Sequence, residues 1–377
     1  MKKKIFVVYR VLQHWRAPVF EKIGHSDKYN LTVVYGPDFP GTKIVSSKTN
    51  FDFRKKRMFS FKLKFNSSNG IIAMPFSPFL FFYLCFSQPG IIITEGASNL
   101  INAYQAFIYC KLFRKRFIWW SLGKVQGREY DVKRKRLDNY IVGIEKKSDA
   151  IITYSSVGKQ YFNSLGIPND KIFVAVNVID TSGKLQHLKK LDVERIRTEF
   201  HENSIFNILF VGAVTKEKNI EILIKAFSQL EDKYADCYLF IVGNGNYLDE
   251  IKRLAAQLNI KNIKFPGHIE KGVEDYFIGS DVFVLPGLGG LAISEAMVYG
   301  LPVIASIGDG CEADLIDSSN GFLDINLDTA SLFKYLEELY LDRNLLDTMK
   351  KNSQLKIINK YNIESYLAEV YKAIDAS

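Results

Sequence analysis

One carboxylate stands among uncharged residues in the glycine-rich segment VLPGLGGLAISEAMVYGLPVIAS, residues 284–306. The glycines follow an apolar strand and open a helix, so free backbone N–H groups and the positive end of a helix converge where an anion could bind. The carboxylate, Glu295, lies five residues beyond Gly290, about one turn into that helix. There it would repel a nearby phosphate, but it could accept hydrogen bonds from sugar hydroxyls a few ångströms away. The alternative is an ordinary solvated glutamate.

Two more turns of this kind occur earlier in the second half. In FVGAVTKEKNIEILIKAF, residues 210–227, Gly212 ends a strand and Lys218 precedes a helix. A lysine in a loop at the carboxyl edge of a parallel sheet can reach a diphosphate in the crevice where such folds bind ligands. The neighbouring lysines are equally consistent with a solvated surface. Gly243-Asn244-Gly245 closes another strand, so three turns are expected at one edge of the sheet, forming one cleft.

Short apolar strands alternate with amphipathic helices in both halves, which predicts an α/β fold with doubly wound parallel sheets. The strands are expected at residues 4–9, 31–36, 90–94, 116–120, 150–155, 172–177, 207–213, 237–243, 263–265, 282–285 and 302–305. A chain of 377 residues exceeds what one hydrophobic core usually supports, so two domains are expected. We place an N-terminal domain at residues 1–180, a polar, lysine-rich linker at 181–204 and a C-terminal domain at 205–355. A final helix within 356–377 could pack back on the first domain.

The formal charge of +9 is divided unevenly along the chain. Residues 1–180 hold 29 Lys and Arg against 12 Asp and Glu, a charge of +17, whereas the remainder carries −8. The basic surface, and with it an anionic partner, is therefore expected in the first half. The four cysteines are widely separated, which suggests neither a disulfide framework nor a zinc site and fits a reducing cytosol.

Residues 71–93, IIAMPFSPFLFFYLCFSQPGIII, are unusually apolar and aromatic. Prolines leave an uninterrupted stretch, Phe79 to Gln88, of about half the roughly 20 residues needed to span a bilayer, so no transmembrane helix is expected. Two interpretations stay open: a helix buried between the sheet and the surface, or an aromatic face that enters a membrane interface.

Several segments in order between residues 205 and 325 resemble one family. They are FVGAVTKEKNIEILIKAF, IVGNGNYLDEIKRLAAQLNI, IKFPGHI, YFIGSDVFVLPG, SEAMVYGLPVIAS and NGFL. They are similar to the nucleotide-sugar-binding domain of retaining group-1 (family 4-like) bacterial glycosyltransferases of the surface polysaccharide type. That resemblance implies the GT-B architecture, in which two facing Rossmann-like domains enclose an interdomain cleft. The match in the first half is looser.

The resemblance also implies roles for single residues. Lys218 would stabilise the leaving diphosphate and Glu295 would hold the ribose hydroxyls, and these are the two residues expected to carry catalysis. The remaining donor-binding positions would be Gly212, Gly243, Asn244, His268, Ile269, Gly287, Gly289, Gly290 and Leu291, with His268 and Ile269 lining the base pocket.

Three positions depart from the family pattern. Gly287 stands where a first acid would contact the donor sugar, Ala213 stands where an arginine would contact the diphosphate, and Leu122 stands where a histidine is frequent. The donor sugar and the diphosphate must then be held by other groups, for example by backbone amides of the extra glycines.

The resemblance implies transfer of a sugar, with retention, from a UDP- or GDP-sugar to a lipid-linked saccharide during capsule or O-antigen synthesis. No Asp-x-Asp triplet occurs, so neither a metal nor another cofactor is expected. We assign the acceptor or membrane side to basic and aromatic residues of the first half, namely Arg16, Trp119, Trp120, Lys133, Arg134 and Arg136. We expect peripheral attachment to an anionic surface, the inner face of the cytoplasmic membrane, and no nucleic-acid partner. A non-catalytic binding or partner subunit and a nucleotide-sugar epimerase are the alternatives.

Overall fold

The computed structural model describes residues 2–39, 45–47, 49–67, 70–124, 132–202 and 204–376, and at 65–67, 70–73 and 132–136 it describes the backbone. The chain divides into two compact units. The first comprises Met1–Val176 together with Glu364–Ser377, and the second comprises Asn177–Ile363. Each unit has its own parallel sheet with helices, as the alternating pattern predicts.

The first unit is built on a seven-stranded sheet in the order β3-β2-β1-β6-β7-β8-β9, and its paired strands are parallel. Its strands, with those of a separate antiparallel hairpin β4-β5, are β1 (Lys3–Tyr9), β2 (Tyr29–Tyr35), β3 (Lys55–Arg57), β4 (Phe61–Ser67), β5 (Gly70–Phe76), β6 (Ile91–Glu95), β7 (Arg116–Trp120), β8 (Ala150–Thr153) and β9 (Ile172–Val174). All six strands expected in the first half are present. The short edge strand β3 is wholly exposed and basic, so no apolar run predicts it.

Helices cover the sheet of the first unit. They are α1 (Ala17–Gly24), α2 (Leu80–Ser87), α3 (Leu100–Leu112), α4 (Val132–Lys146) and α5 (Ser156–Ser164). The aromatic segment 71–93 contains the strand β5 and then the helix α2. This helix buries Leu80 and Leu84 and leaves Phe82 and Phe86 exposed. Entry of the exposed aromatic side chains into a membrane interface stays a prediction.

The second unit has a six-stranded parallel sheet in the order β12-β11-β10-β13-β14-β15. Its strands are β10 (Phe206–Val211), β11 (Cys237–Val242), β12 (Ile263–Gly267), β13 (Val282–Leu285), β14 (Val303–Ala305) and β15 (Gly321–Leu323). Its helices are α6 (Thr181–Leu188), α7 (Val193–Phe200), α8 (Ile220–Lys233), α9 (Leu248–Gln257), α10 (Val273–Ile278), α11 (Leu291–Val298), α12 (Glu312–Leu315), α13 (Thr329–Leu341) and α14 (Arg343–Asn359). The strands β10 and β13, in which only Val211 is not fully buried, lie side by side in the middle of the sheet.

The interval 181–204, which the sequence presents as a linker, contains the helices α6 and α7 and belongs to the second unit. Asp180 and Asp192 cap these helices by accepting hydrogen bonds from backbone N–H groups of their first turns. The two helices bury few residues, which explains why their sequence appears polar and lysine-rich.

A last helix, α15 (Ile363–Asp375), follows α14, and from Glu364 onward it belongs to the first unit. Its Asp375 pairs with Lys3 at 2.7 Å and accepts a hydrogen bond from the Tyr29 hydroxyl at 2.8 Å. No helix in the described part of the chain combines the length and the apolar character needed to span a bilayer.

Candidate functional site

The centre of the second sheet is a topological switch point. β10 and β13 are adjacent and parallel, but β10 continues to β11 on one side and β13 to β14 on the other. The connections therefore leave in opposite directions and open a crevice outside the carboxyl ends of these two strands. The loop after β10 carries Lys218, and the loop after β13 is the glycine turn, residues 286–290.

These two loops pack directly against each other. The backbone N–H of Leu288 donates a hydrogen bond to the Glu217 carbonyl at 3.0 Å, and the Lys218 ammonium donates to the Leu288 carbonyl. A Cβ atom added at Gly287 would lie 2.6 Å from the Lys218 carbonyl carbon and 2.7 Å from its Cα, closer than real Cβ contacts come. Gly287 is therefore required for the packing of the two loops. Position 287 has no room for the acid that the family pattern places there.

We expect Gly287→Ala to destabilise the second unit, because the added methyl group must push the two loops apart. Overpacking of this kind costs about 1–3 kcal/mol. Thermal and urea unfolding of the variant measure the loss. Gly143→Ala is the matched control, since a Cβ there meets nothing within 4 Å and glycine in a helix is less favourable than alanine. Equal unfolding midpoints for Gly287→Ala and the unchanged protein would contradict this account of the turn.

The glycine turn leads straight into α11, whose N-cap is Gly290 and whose first turn contains no acidic residue. The start of a helix presents unpaired backbone N–H groups and a partial positive charge. Lys218 brings a full positive charge to the same turn, where its ammonium lies beside Gly289. The turn thus presents positive charge from two independent sources, an arrangement suited to a phosphate or diphosphate.

Glu295 lies on α11, and an ion pair holds it. Its Oε1 is 2.6 Å from the Lys184 ammonium, which comes from α6. The glutamate side chain is 19% exposed, so it is not the ordinary solvated glutamate that the sequence left open. The Ser294 hydroxyl accepts a hydrogen bond from the Ile179 N–H at 3.2 Å, which fixes α11 further. Lys184 was not singled out in the sequence, because it belongs to no motif and meets Glu295 through the packing of α6 on α11.

The third turn packs on the loop after β10. The Val214 N–H donates to the Asn244 carbonyl at 3.1 Å, and the Gly243 N–H donates to the Gly267 carbonyl at 2.8 Å. Gly243 has a φ of +141° and so little space beside Gly212 that a side chain would collide with its backbone. The structure therefore brings the three turns together, as the parallel-sheet rule predicts.

His268 and Ile269 follow β12, at the outer edge of the sheet. His268 is exposed and Ile269 is half-buried. Their role in lining a base pocket stays a prediction.

The loop after β14 supplies an acidic cluster that the sequence interpretation missed. Ligand atoms of Asp309, Cys311 and Glu312 lie within 4.8 Å of one another. Burial, with Asp309 nearby, raises the pKa of Glu312 to about 7 and raises that of the Cys311 thiol above its usual range. A cation could bind there only after both groups release their protons, so any metal binding at this cluster would depend on pH.

Three residues assigned to the acceptor or membrane side lie in the interior, which corrects that assignment. Arg16 is 1% exposed, and its guanidinium carbon lies 4.6 Å from the ring centroid of Trp15 and 4.9 Å from that of Trp120. It also donates a hydrogen bond to the Tyr366 hydroxyl of α15. Trp119 and Trp120 are buried on the strand β7, which lies between β6 and β8 in the sheet. These side chains stabilise the first unit and are not placed to touch a membrane.

Lys133, Arg134 and Arg136 lie in the first turns of α4, where the structure describes the backbone. Their assignment to the acceptor or membrane side lies outside the described side chains and stays a prediction.

Comparison with known proteins finds sequence similarity to glycosyltransferases within the second unit. Residues 193–356 match the model of "Glycosyl transferases group 1". The capsular polysaccharide biosynthesis glycosyltransferase CapM of Staphylococcus aureus is 26% identical over 182 residues, 46% of this chain and 47% of that protein. The UDP-Gal:alpha-D-GlcNAc-diphosphoundecaprenol alpha-1,3-galactosyltransferase of Escherichia coli is 29% identical over 199 residues, 51% of each chain. This chain thus spans about half the length of these curated relatives.

The fold is shared over a longer stretch. The crystal structure of Anabaena HepE in complex with UDP is similar with a TM-score of 0.73, covers 100% of both chains and is 15% identical. At that identity the likeness shows the fold alone, an α/β fold with parallel sheets. The sequence similarity to group 1 glycosyl transferases lies in residues 193–356, within the second unit.

Proposed function

We propose that this protein is a retaining glycosyltransferase. It would move a sugar from a nucleotide-sugar donor to a lipid-linked saccharide in cell-surface polysaccharide biosynthesis, of the capsule or O-antigen type. One observation carries the proposal: the Lys218 ammonium and the start of α11 meet at a glycine turn on the switch point, with Glu295 one turn further along the helix. Diphosphate and ribose, the two parts that all nucleoside diphosphate sugars share, would each find a complementary group there.

In the proposed reaction the bond between the sugar and the diphosphate breaks as the acceptor hydroxyl attacks the same face of the sugar. Negative charge then grows on the diphosphate, and Lys218 together with the amides of the glycine turn would stabilise it. The departing phosphate oxygen would take the proton of the acceptor hydroxyl. The protein's contribution is positioning and electrostatic stabilisation, and we propose that it needs no metal.

Two comparisons favour UDP over GDP as the nucleotide of the donor. HepE, which has the same fold, was solved with UDP and also with UDP-glucose. The Escherichia coli relative is named for UDP-Gal. The same relative is named for a diphosphoundecaprenol acceptor, which supports a lipid-linked acceptor here.

Nucleoside diphosphate release tests the proposal. The purified protein is incubated with UDP-glucose, UDP-galactose, UDP-N-acetylglucosamine and GDP-mannose, with and without a polyprenyl diphosphate saccharide. We expect release from at least one donor, accelerated by the acceptor. Binding of UDP without release from any donor under either condition would favour the non-catalytic alternative. Interconversion of the donor sugars without release would favour an epimerase.

An aromatic face on the first unit is the best candidate for membrane attachment. Phe79, Phe82 and Phe86 recur at helical spacing along α2 and are 60%, 70% and 90% exposed. Leu112 and Phe113, at the end of α3, are exposed too, and the basic Arg114 and Lys115 follow directly. The Tyr109 hydroxyl donates to the Pro89 carbonyl, which brings the ends of α2 and α3 together. We propose that this α2–α3 face attaches the protein to an anionic membrane, the inner face of the cytoplasmic membrane in the cell.

Sedimentation with vesicles tests the α2–α3 face. The triple variant Phe79→Ser, Phe82→Ser, Phe86→Ser should bind vesicles of phosphatidylglycerol and phosphatidylcholine at low salt about tenfold more weakly or worse, because three large apolar side chains are lost. Leu341→Ser, which removes an exposed apolar side chain from the second unit, should bind like the unchanged protein. The α2–α3 face would be ruled out as a membrane attachment site if the unchanged protein did not bind these vesicles, or if the triple variant bound them equally well.

A further inference from the structure

The loop between β14 and α12, residues 306–311, forms a second wall of the glycine turn. A Cβ atom added at Gly308 would lie 3.0 Å from the Leu288 Cα and 3.3 Å from the Gly289 nitrogen. A Cβ added at Gly290 would lie 2.8 Å and 3.0 Å from the two carboxylate oxygens of Asp309. The glycines at 308 and 290 thus let the two loops approach closely. As a result, the Asp309 carboxylate lies against the turn that opens α11.

Hydrogen bonds hold this carboxylate in place. Asp309 Oδ1 accepts from the Cys311 N–H at 3.3 Å and from the Cys311 thiol at 2.9 Å. The buried Glu312 carboxylate accepts from the N–H groups of Gly310 at 2.8 Å and of Asp309 at 3.4 Å, which fixes the loop itself. In the part of the chain that the structure describes, both hydrogen bonds to Asp309 go to Oδ1. Oδ2 of this half-buried side chain therefore keeps its capacity to accept hydrogen bonds.

Opposite charges now border the turn. The Lys218 ammonium, from the loop after β10, donates a hydrogen bond to the Leu288 carbonyl of the turn, and Asp309 lies against the turn from the loop after β14. A diphosphate would be attracted to Lys218 and repelled by Asp309, so the part of the donor that faces Asp309 should not be anionic. Sugar hydroxyls meet that requirement, because they are neutral and donate hydrogen bonds to carboxylates.

We infer that Asp309 binds hydroxyl groups of the transferred sugar. It would thereby contact the donor sugar in place of the acid that the family pattern puts at position 287, where the structure leaves no room for a side chain. This inference rests on the proposed function, and it assigns donor-sugar recognition to a residue from a different loop. Asp309 would orient the sugar over the turn while Lys218 holds the diphosphate, so its effect should appear with the sugar and not with the nucleotide alone.

Asp309→Asn tests the inference, because asparagine keeps the shape of the side chain and loses the charge. UDP affinity is measured by calorimetry, and nucleoside diphosphate release is measured with UDP-glucose and UDP-galactose. We expect UDP affinity within about twofold of the unchanged protein, and kcat/KM for the better donor lowered about 10- to 100-fold. We also expect the preference between these two epimeric donors to change. Asp314→Asn, on the adjacent helix α12, is the matched control and should change neither quantity.

The outcomes separate the inference from the function on which it rests. The proposed function fails, and the inference with it, if the unchanged protein binds neither UDP nor GDP and releases no nucleoside diphosphate from any donor. If the unchanged protein is active and Asp309→Asn has the same kcat/KM and the same donor preference, the inference alone is overturned. If Asp309→Asn weakens UDP binding as much as it lowers kcat/KM, Asp309 supports the loop and does not recognise the sugar.

Discussion

Replacing Lys218 by alanine should lower the rate of nucleoside diphosphate release by about 10²- to 10³-fold, the range found when one group that stabilises developing charge is removed. The reason lies in the geometry of the turn. The Lys218 ammonium contacts the Leu288 carbonyl and lies beside Gly289, where the start of α11 adds its own positive end. Its charge is therefore already in place when negative charge develops on the diphosphate, and water cannot substitute for it equally well.

Lys216→Ala is the matched control for this experiment. Lys216 belongs to the same 3-10 turn, Lys216–Lys218, but its side chain is exposed. Removal of the Lys216 side chain should leave the rate of nucleoside diphosphate release within about twofold of that of the unchanged protein, because exposed charges are screened by solvent. Thermal unfolding of both variants checks that the turn remains folded. A rate for Lys218→Ala equal to that of Lys216→Ala would remove the lysine from the mechanism.

Glu295→Gln should weaken UDP binding about 10- to 100-fold. This is the second of the two largest effects that we expect. A carboxylate that accepts hydrogen bonds from two ribose hydroxyls contributes more than an amide, since charged hydrogen bonds are worth about 1.5–3 kcal/mol each. Calorimetry with UDP and with 2′,3′-dideoxy-UDP measures the contribution directly. The unchanged protein should discriminate strongly between the two nucleotides, and Glu295→Gln should lose most of that discrimination.

Lys184→Gln serves as the control for the ion pair. Both substitutions break the contact between Lys184 and Glu295, so any shared loss of stability belongs to the pair itself. Lys184→Gln keeps the Glu295 carboxylate and should still discriminate between UDP and its dideoxy analogue. Equal discrimination by Glu295→Gln and the unchanged protein would mean that Glu295 only anchors α6.

Most strands of the two parallel sheets could be predicted from sequence because they are short and largely apolar runs. β10 and β13 contain no exposed residue, and short apolar runs of this kind are typical of parallel strands that are buried on both faces. The strand β3 and the helices α6 and α7 could not be assigned to their places in this way. β3 consists of three basic residues on an exposed sheet edge, and each of the two helices buries one residue. Their positions depend on tertiary contacts that no local pattern records.

Some residues of the candidate site could be predicted from sequence, and others could not. Lys218 and the glycine turn were predictable because parallel strands end at one edge of their sheet, so the loops that follow them must meet. Lys184 and Asp309 were not predictable, since each reaches the site from a segment without a motif. Arg16 is the opposite case, a residue that the sequence places at the acceptor or membrane side but that lies in the interior. A basic side chain is exposed as a rule, but here aromatic rings of the first unit surround it.

A crystal structure of the protein with UDP is the most direct test of the central claim, that the turn after β13 is the donor site. We predict that the diphosphate lies within hydrogen-bond distance of the Lys218 ammonium and of backbone N–H groups at Gly289 and Gly290. The ribose hydroxyls should contact the Glu295 carboxylate. UDP bound elsewhere, or bound with its diphosphate away from Lys218 and its ribose away from Glu295, would contradict the account.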